Sequence, residues 1–113
     1  MGRRAKSIIQ NDLSVCFCQD CTCQGDIEVH HIFYGYGRRA ISDREGLIVA
    51  LCQAHHRGTN GVHGRDGAGL GYSLKEIAQE AWEQKYIDEH PEDPEAAEAA
   101  RDAFIKLIGR NYL

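Results

Sequence analysis

An α+β fold is what this sequence predicts, with a small β-prone half held together by metal and a helical half behind it. Three observations carry that expectation. The organisation changes near residue 72, with short apolar runs broken by Gly, Cys and Asp before it and helical periodicity after it. Cysteine and histidine crowd into the first half, where long apolar side chains are few. At 113 residues the chain is one domain's worth, since domains usually run about 100 to 150 residues. The expected division is a single domain over 1–113, made of an N-terminal segment (1–15), a metal-bearing core (16–72) and a C-terminal helical extension (73–113).

The elements follow in order. Ile27-Glu28-Val29-His30-His31-Ile32-Phe33 is rich in β-branched and aromatic residues and runs into the turn-prone Tyr34-Gly35-Tyr36-Gly37, which predicts a strand. Leu47-Ile48-Val49-Ala50-Leu51, between Gly46 and Cys52, predicts a second strand, paired with the first across a long basic loop. Gln53 to Arg57 begins a short helix. Six glycines between Gly58 and Gly71 predict an irregular loop. Ser73-Leu74-Lys75-Glu76 has the pattern of a capping box, so a helix is expected from there to about Glu89. Asp93-Pro94 suits an N-cap followed by a first helical residue, and Gly109 a stop. Ile77, Ala81, Trp82, Tyr86, Phe104, Ile105 and Ile108 fall at helical spacing and are expected to pack in the core, with Trp82 largely buried.

Charge is divided as unevenly as hydrophobicity. The net charge is −4, yet residues 1–72 carry eight Lys/Arg against seven Asp/Glu, and residues 73–113 carry five against ten. The acidity belongs to the helical half, so the overall balance argues little against a nucleic-acid partner, particularly once bound cations are added to the first half. Neither an apolar run of about 18 residues nor a signal-like N-terminus is present, so no membrane association and a cytoplasmic location are expected. In that compartment an odd set of five cysteines favours metal ligation over disulfides.

Cys18-Gln19-Asp20-Cys21 is a C-x-x-C, and Cys52-Gln53-Ala54-His55 is a C-x-x-H. Two such pairs supply the four borderline-soft donors of a tetrahedral structural zinc while cross-linking distant chain. Cys18, Cys21, Cys52 and His55 are the favoured ligands, because a two-residue gap lets both thiolates reach one ion. Cys16 or Cys23 could contribute instead. His30 and His31 are neighbours on a predicted strand, where successive side chains point to opposite faces, so they cannot easily serve the same ion. His56 is turned round the short helix from His55 toward a second site, with His63 seven residues on.

Taken together, Val29-His30-His31-Ile32, the Gly-Arg-Arg loop, Leu51-Cys52-Gln53-Ala54-His55-His56 and Gly61-Val62-His63 resemble the HNH endonucleases, particularly the short C-x-x-C-containing proteins of phage and prophage genomes. The likeness covers about residues 16–113. It implies a treble-clef-like ββα-metal core with a structural zinc. It also implies a metal-dependent endonuclease hydrolysing phosphodiester bonds in DNA. By this resemblance His30, His56 and His63 hold the catalytic divalent metal (Mg²⁺, Mn²⁺, Ni²⁺ or Zn²⁺), His31 is the general base, and His30, His31 and His56 form the catalytic set. One departure stands out: the asparagine such enzymes carry ahead of the second strand is replaced by Arg44-Glu45-Gly46-Leu47. Arg38, Arg39, Arg57 and Arg65 are candidate phosphate contacts, since guanidinium forks match phosphate oxygens.

Two other classes fit the same residues. A non-catalytic zinc-binding module of treble-clef type would bind nucleic acid or a phage or host protein and needs only the cysteine-containing site. An inhibitor or structural protein would use the acidic helices as its contact surface.

Overall fold

The computed structural model describes residues 6–18, 26–58 and 61–113. It is an α+β fold in which a β-hairpin is followed by helices. In chain order the elements are β1 (Ile27–His31), α1 (Arg38–Glu45), β2 (Ile48–Cys52), α2 (Gln53–Arg57), α3 (Ala68–Asp88) and α4 (Ala96–Ile108). Among the described residues no helix is long and apolar enough to cross a membrane.

The strands pair antiparallel, with Ile27 opposite Cys52, His30 opposite Val49 and His31 opposite Ile48. Strand β2 is buried along its length because its second edge is also occupied. The backbone N–H of Phe17 donates to the Ala50 carbonyl (2.7 Å) and that of Ile8 to Gly46 (2.9 Å). Gln10 Oε1 accepts from Ala50 N–H (2.8 Å). Residues 7–17 therefore satisfy an edge that would otherwise expose unpaired donors and acceptors. Gly46 permits this approach: its φ is +75°, and a Cβ there would lie 2.6 Å from the Lys6 carbonyl oxygen.

The connection expected as a long basic loop contains helix α1 instead. Arg38 to Glu45 lacks an apolar stripe, which hid it. The helix has one buried anchor residue, Ser42, whose hydroxyl accepts from Phe33 N–H (3.0 Å) and donates to the Phe33 carbonyl (2.7 Å). Those bonds tie α1 to the end of the first strand.

The helical half begins earlier than the capping pattern implies. Helix α3 starts at Ala68, so Gly69 and Gly71 lie within it and Ser73 is one turn inside rather than at its N-cap. Each interior glycine costs about 1 kcal/mol of helix propensity; Leu70, packed against the core, offsets this. Ile77 is 37% exposed, off the face that buries Leu74 and Ala78. Trp82 is half-buried, its ring against Phe104 and its Nε1–H donating to Glu45 Oε1 (2.9 Å). Regular α4 structure starts at Ala96, three residues after the expected cap. Asp93 Oδ1 accepts from Glu95 N–H (2.8 Å) and so organises the turn before it. Gly109 ends α4 as expected.

Ala96, Ala100, Phe104 and Ile108, four residues apart, form the buried face of α4. Phe104 meets Phe33 edge-on (centroids 5.8 Å apart), which joins the helical half to the hairpin. A partly buried polar link runs beside it: Arg101 Nε donates to Glu83 Oε2 (2.7 Å), and Gln79 Oε1 accepts from Tyr112 N–H (2.7 Å). Leu47, Val49 and Leu51 of the hairpin share one core with Leu74, Ala78, Phe104 and Ile108.

Candidate metal centres

Two clusters of metal-ligating side chains flank helix α2. In the first, Cys16, Cys52 and His55 bring their ligand atoms within 4.8 Å of one another. Cys52 Sγ is 3.1 Å and Cys16 Sγ 3.8 Å from His55 Nδ1. Donors about 2.0–2.3 Å from a tetrahedral ion stand about 3.5 Å apart, so this spacing fits a zinc-sized ion. The Cys52 N–H donates to Cys16 Sγ (3.3 Å), which fixes the position of that sulfur beside the strand end. The C-x-x-H works because Cys52 ends β2 and His55 sits in the first turn of α2, which curls its ring back toward the strand end. Of the four cysteine and histidine ligands favoured from spacing, Cys52 and His55 thus meet. The third donor in the described cluster is Cys16, the alternative the spacing left open. Cys18 is half-buried against the core, and Cys21 and Cys23 lie outside the described residues.

The second cluster is His30, His56 and His63, again with ligand atoms within 4.8 Å. His30 comes from β1, His56 from α2 and His63 from the glycine-rich loop. That loop is held against α2 by backbone bonds from Val62 N–H to His55 O (2.8 Å) and from His63 N–H to His56 O (3.0 Å). Ring centroids stand 4.8 to 5.2 Å apart. His30 is 3% exposed, and burial, reinforced by the neighbouring imidazoles and Lys75, pushes its pKa down to about 3. Partial burial, then His56 and Arg57, also lower the pKa of His63. Neutral imidazoles are the form that ligates a cation.

Glu28 supports this cluster from behind. It precedes His30 by two residues and so shares its face of the strand. Its Oε1 accepts from His56 Nδ1 (2.8 Å), which leaves Nε2 of His56 for the cluster, as carboxylates commonly do behind ligating histidines. The same bond, with Arg57 2.9 Å away, holds the Glu28 carboxyl below the usual range.

His31, on the opposite side of β1 from His30, turns to α1, where Asp43 Oδ1 accepts from its Nε2 (2.6 Å). Both histidines line one cleft of about 370 Å³, together with His56, His63, Arg39 and Arg57. Arg38 lines a different cleft, and Arg65 is exposed on the glycine-rich loop.

Glu28, Ser42 and Asp43 escaped the sequence reading. Period two on a strand could have flagged Glu28. Nothing flagged Ser42 or Asp43, which depend on a helix without an apolar stripe. Ser42 lies two residues ahead of the Arg44-Glu45-Gly46-Leu47 stretch where the asparagine was expected, and it fastens the backbone following His31.

The chain is therefore a ββα-type module with two candidate metal-ligand clusters. Comparison with known proteins finds no matching family model, curated protein or solved structure.

Proposed function

We propose that this chain is a metal-dependent nucleic-acid-binding module with two metal sites of different kinds. The first is a structural zinc held by Cys16, Cys52 and His55, with a fourth donor from the Cys18–Cys21 run. The second is a divalent cation held by His30, His56 and His63. The carrying observation is the second cluster: three imidazoles converge within 4.8 Å, one of them nearly inaccessible, at a cleft lined by Arg39 and Arg57. Three converging imidazoles, one buried, one half-buried and one exposed, offer ring nitrogens that a cation would use, and the arginines suit phosphate. DNA is the expected partner. The test is to purify the chain, count bound metal by elemental analysis, and measure binding of a labelled DNA before and after chelation. Zinc near one per chain with chelator-sensitive DNA binding supports the reading. A folded, metal-free chain, or binding that chelation leaves intact, refutes it.

A specific observation favours a second reading, HNH-type hydrolysis of phosphodiester bonds. His31 is held by Asp43 at 2.6 Å and opens on the same cleft as the three histidines. Asp43 holds the proton on Nε2 and leaves Nδ1 free to take one from water, the arrangement expected of an oriented general base. In this reading Arg39 and Arg57 hold the phosphate for in-line attack. A divalent cation bound at the cluster supplies charge stabilisation at the phosphate and leaving oxygen. Incubation with supercoiled plasmid across Mg²⁺, Mn²⁺, Ni²⁺ and Zn²⁺ separates the readings: nicking or linearisation supports hydrolysis, and intact plasmid with retained binding supports the module alone.

A further inference from the structure

A second cleft of about 320 Å³ shares Tyr34 with the three-histidine cleft and is lined by Phe33, Tyr34, Arg38, Lys75, Arg110 and Tyr112 among others. Its three cations come from separate parts of the fold: the start of α1, the second turn of α3 and the residue after Gly109. Two of them belong to the half of the chain whose charge is strongly acidic.

Their positions are set by packing rather than by counter-charges. Lys75 Nζ stands 5.5 Å from the centre of the Tyr34 ring and 5.7 Å from that of Tyr112. The Arg110 guanidinium carbon is 4.9 Å from the Tyr112 ring centre. Arg38 Nε donates to the Ile108 carbonyl (3.2 Å), which orients its guanidinium beside Gly109. Among the described residues none of the three has a carboxylate ion partner, whereas Arg44, Arg57, Lys85 and Arg101 each do. In a chain of net charge −4, three such cations converging on one concavity form a site for an anion.

Tyr34 links this cleft to the three-histidine cleft, since it lines both in part: its ring lies 5.1 Å from that of His63 and 6.0 Å from that of His30. At 46% exposed it presents ring surface to solvent. An exposed ring between this cleft and one that holds Arg39 and Arg57 suits a base flanked by two phosphates. Only an unpaired, unstacked base can use it, because a duplex keeps its bases stacked inside.

We propose that this second cleft is a subsite for the neighbouring nucleotide of a single-stranded nucleic acid, with its phosphate among Arg38, Lys75 and Arg110 and its base on Tyr34. The assignment rests on the nucleic-acid reading above and extends it to a strand form and a path across the surface.

The test is fluorescence anisotropy of the as-purified full chain with a labelled ten-nucleotide oligothymidylate and with a labelled hairpin duplex of equal length. Lys75→Gln and Arg110→Gln should each weaken oligothymidylate binding about five- to ten-fold. Each should also flatten the dependence of log K on log salt by about 0.7, the share of one phosphate contact on a single strand. Tyr34→Leu should weaken it about ten-fold and remove the preference over the duplex, as loss of one base–aromatic stack does. Lys106→Gln, on the exposed side of α4, should change neither. Lys75 and Arg110 variants that bind like the parent while Arg57→Gln weakens binding would overturn the subsite and leave the three-histidine reading standing. A parent that binds neither probe overturns both. Inorganic phosphate competing as well, per phosphate, as unlabelled oligothymidylate would mark a free-phosphate site and also overturn the proposal.

Discussion

Replacing Ser42 by alanine tests how the hairpin's connection is held. Ser42 is 0% exposed, and its hydroxyl serves both polar groups of Phe33, accepting from the N–H at 3.0 Å and donating to the carbonyl at 2.7 Å. Alanine removes both partners and leaves a buried donor and a buried acceptor without them. Each such orphan costs about 1–3 kcal/mol. Because the two groups belong to one residue and the segment can relax toward solvent at Tyr34, the combined loss is set at about 2–4 kcal/mol. At roughly 4 °C per kcal/mol for a domain of this size, Tm should fall by about 8–16 °C. The assay is thermal unfolding followed by far-UV circular dichroism. Ser14→Ala serves as the comparison: it also loses a hydroxyl bond, to Asp12, but at an exposed position. That variant should stay within about 2 °C of the parent. A shift under about 2 °C for Ser42→Ala would mean the hydroxyl does not hold α1 to β1, and the account of the connection would fail.

Under the structural-zinc reading, Cys52→Ala and Cys16→Ser should each lose the zinc and lower Tm sharply, since removing one ligand opens a closed structural site; elemental analysis showing full zinc in folded Cys16→Ser would exclude Cys16 as a ligand. Under the hydrolytic reading, His31→Ala should cut plasmid cleavage by about two to four orders of magnitude while leaving metal content and Tm near the parent values; undiminished cleavage would remove His31 from the reaction. Acid sensitivity follows from His30, whose pKa in the fold is about 3 against an ordinary 6.5. The unfolded chain takes up this proton first as pH falls, so in metal-free protein stability declines from about pH 6.5 toward pH 3, by about 1.4 kcal/mol per pH unit. Between pH 7 and pH 5 this amounts to about 2 kcal/mol, and urea melts of His30→Gln against the parent should show a shallower decline; parallel curves would contradict it.

Local chemistry made much of this molecule legible. Partial alternation and β-branching marked β1, a short apolar run between Gly46 and Cys52 marked β2, and the period of two separated His30 from His31 before any coordinates. The C-x-x-H spacing brought Cys52 and His55 together because a strand end followed by one helical turn leaves few other arrangements. The position of His56 beside His55 on a short helix directed it to the other side, where the second cluster lies. Gly109 after an apolar helical stripe marked the end of α4.

Tertiary structure decided the rest, and the reason is the same in each case: the deciding partner is far away in sequence. Helix α1 has no apolar period of its own and is held through Ser42 to Phe33, nine residues back. The start of α3 at Ala68 reflects the packing of Leu70 on the core, which extends the helix one turn ahead of the Ser73 capping pattern. Cys16 joins Cys52 and His55 because residues 7–17 run along β2, held by the backbone of Ile8 and Phe17 and the side chains of Ser7 and Gln10, a pairing with no apolar period to mark it. Asp43 meets His31, and Lys75 and Arg110 meet over Tyr112, only because the hairpin and the two long helices share one hydrophobic core. Sequence alone therefore determined which side chains could bind a cation. Packing over long separations determined which of them stand together and which acids and bases face them.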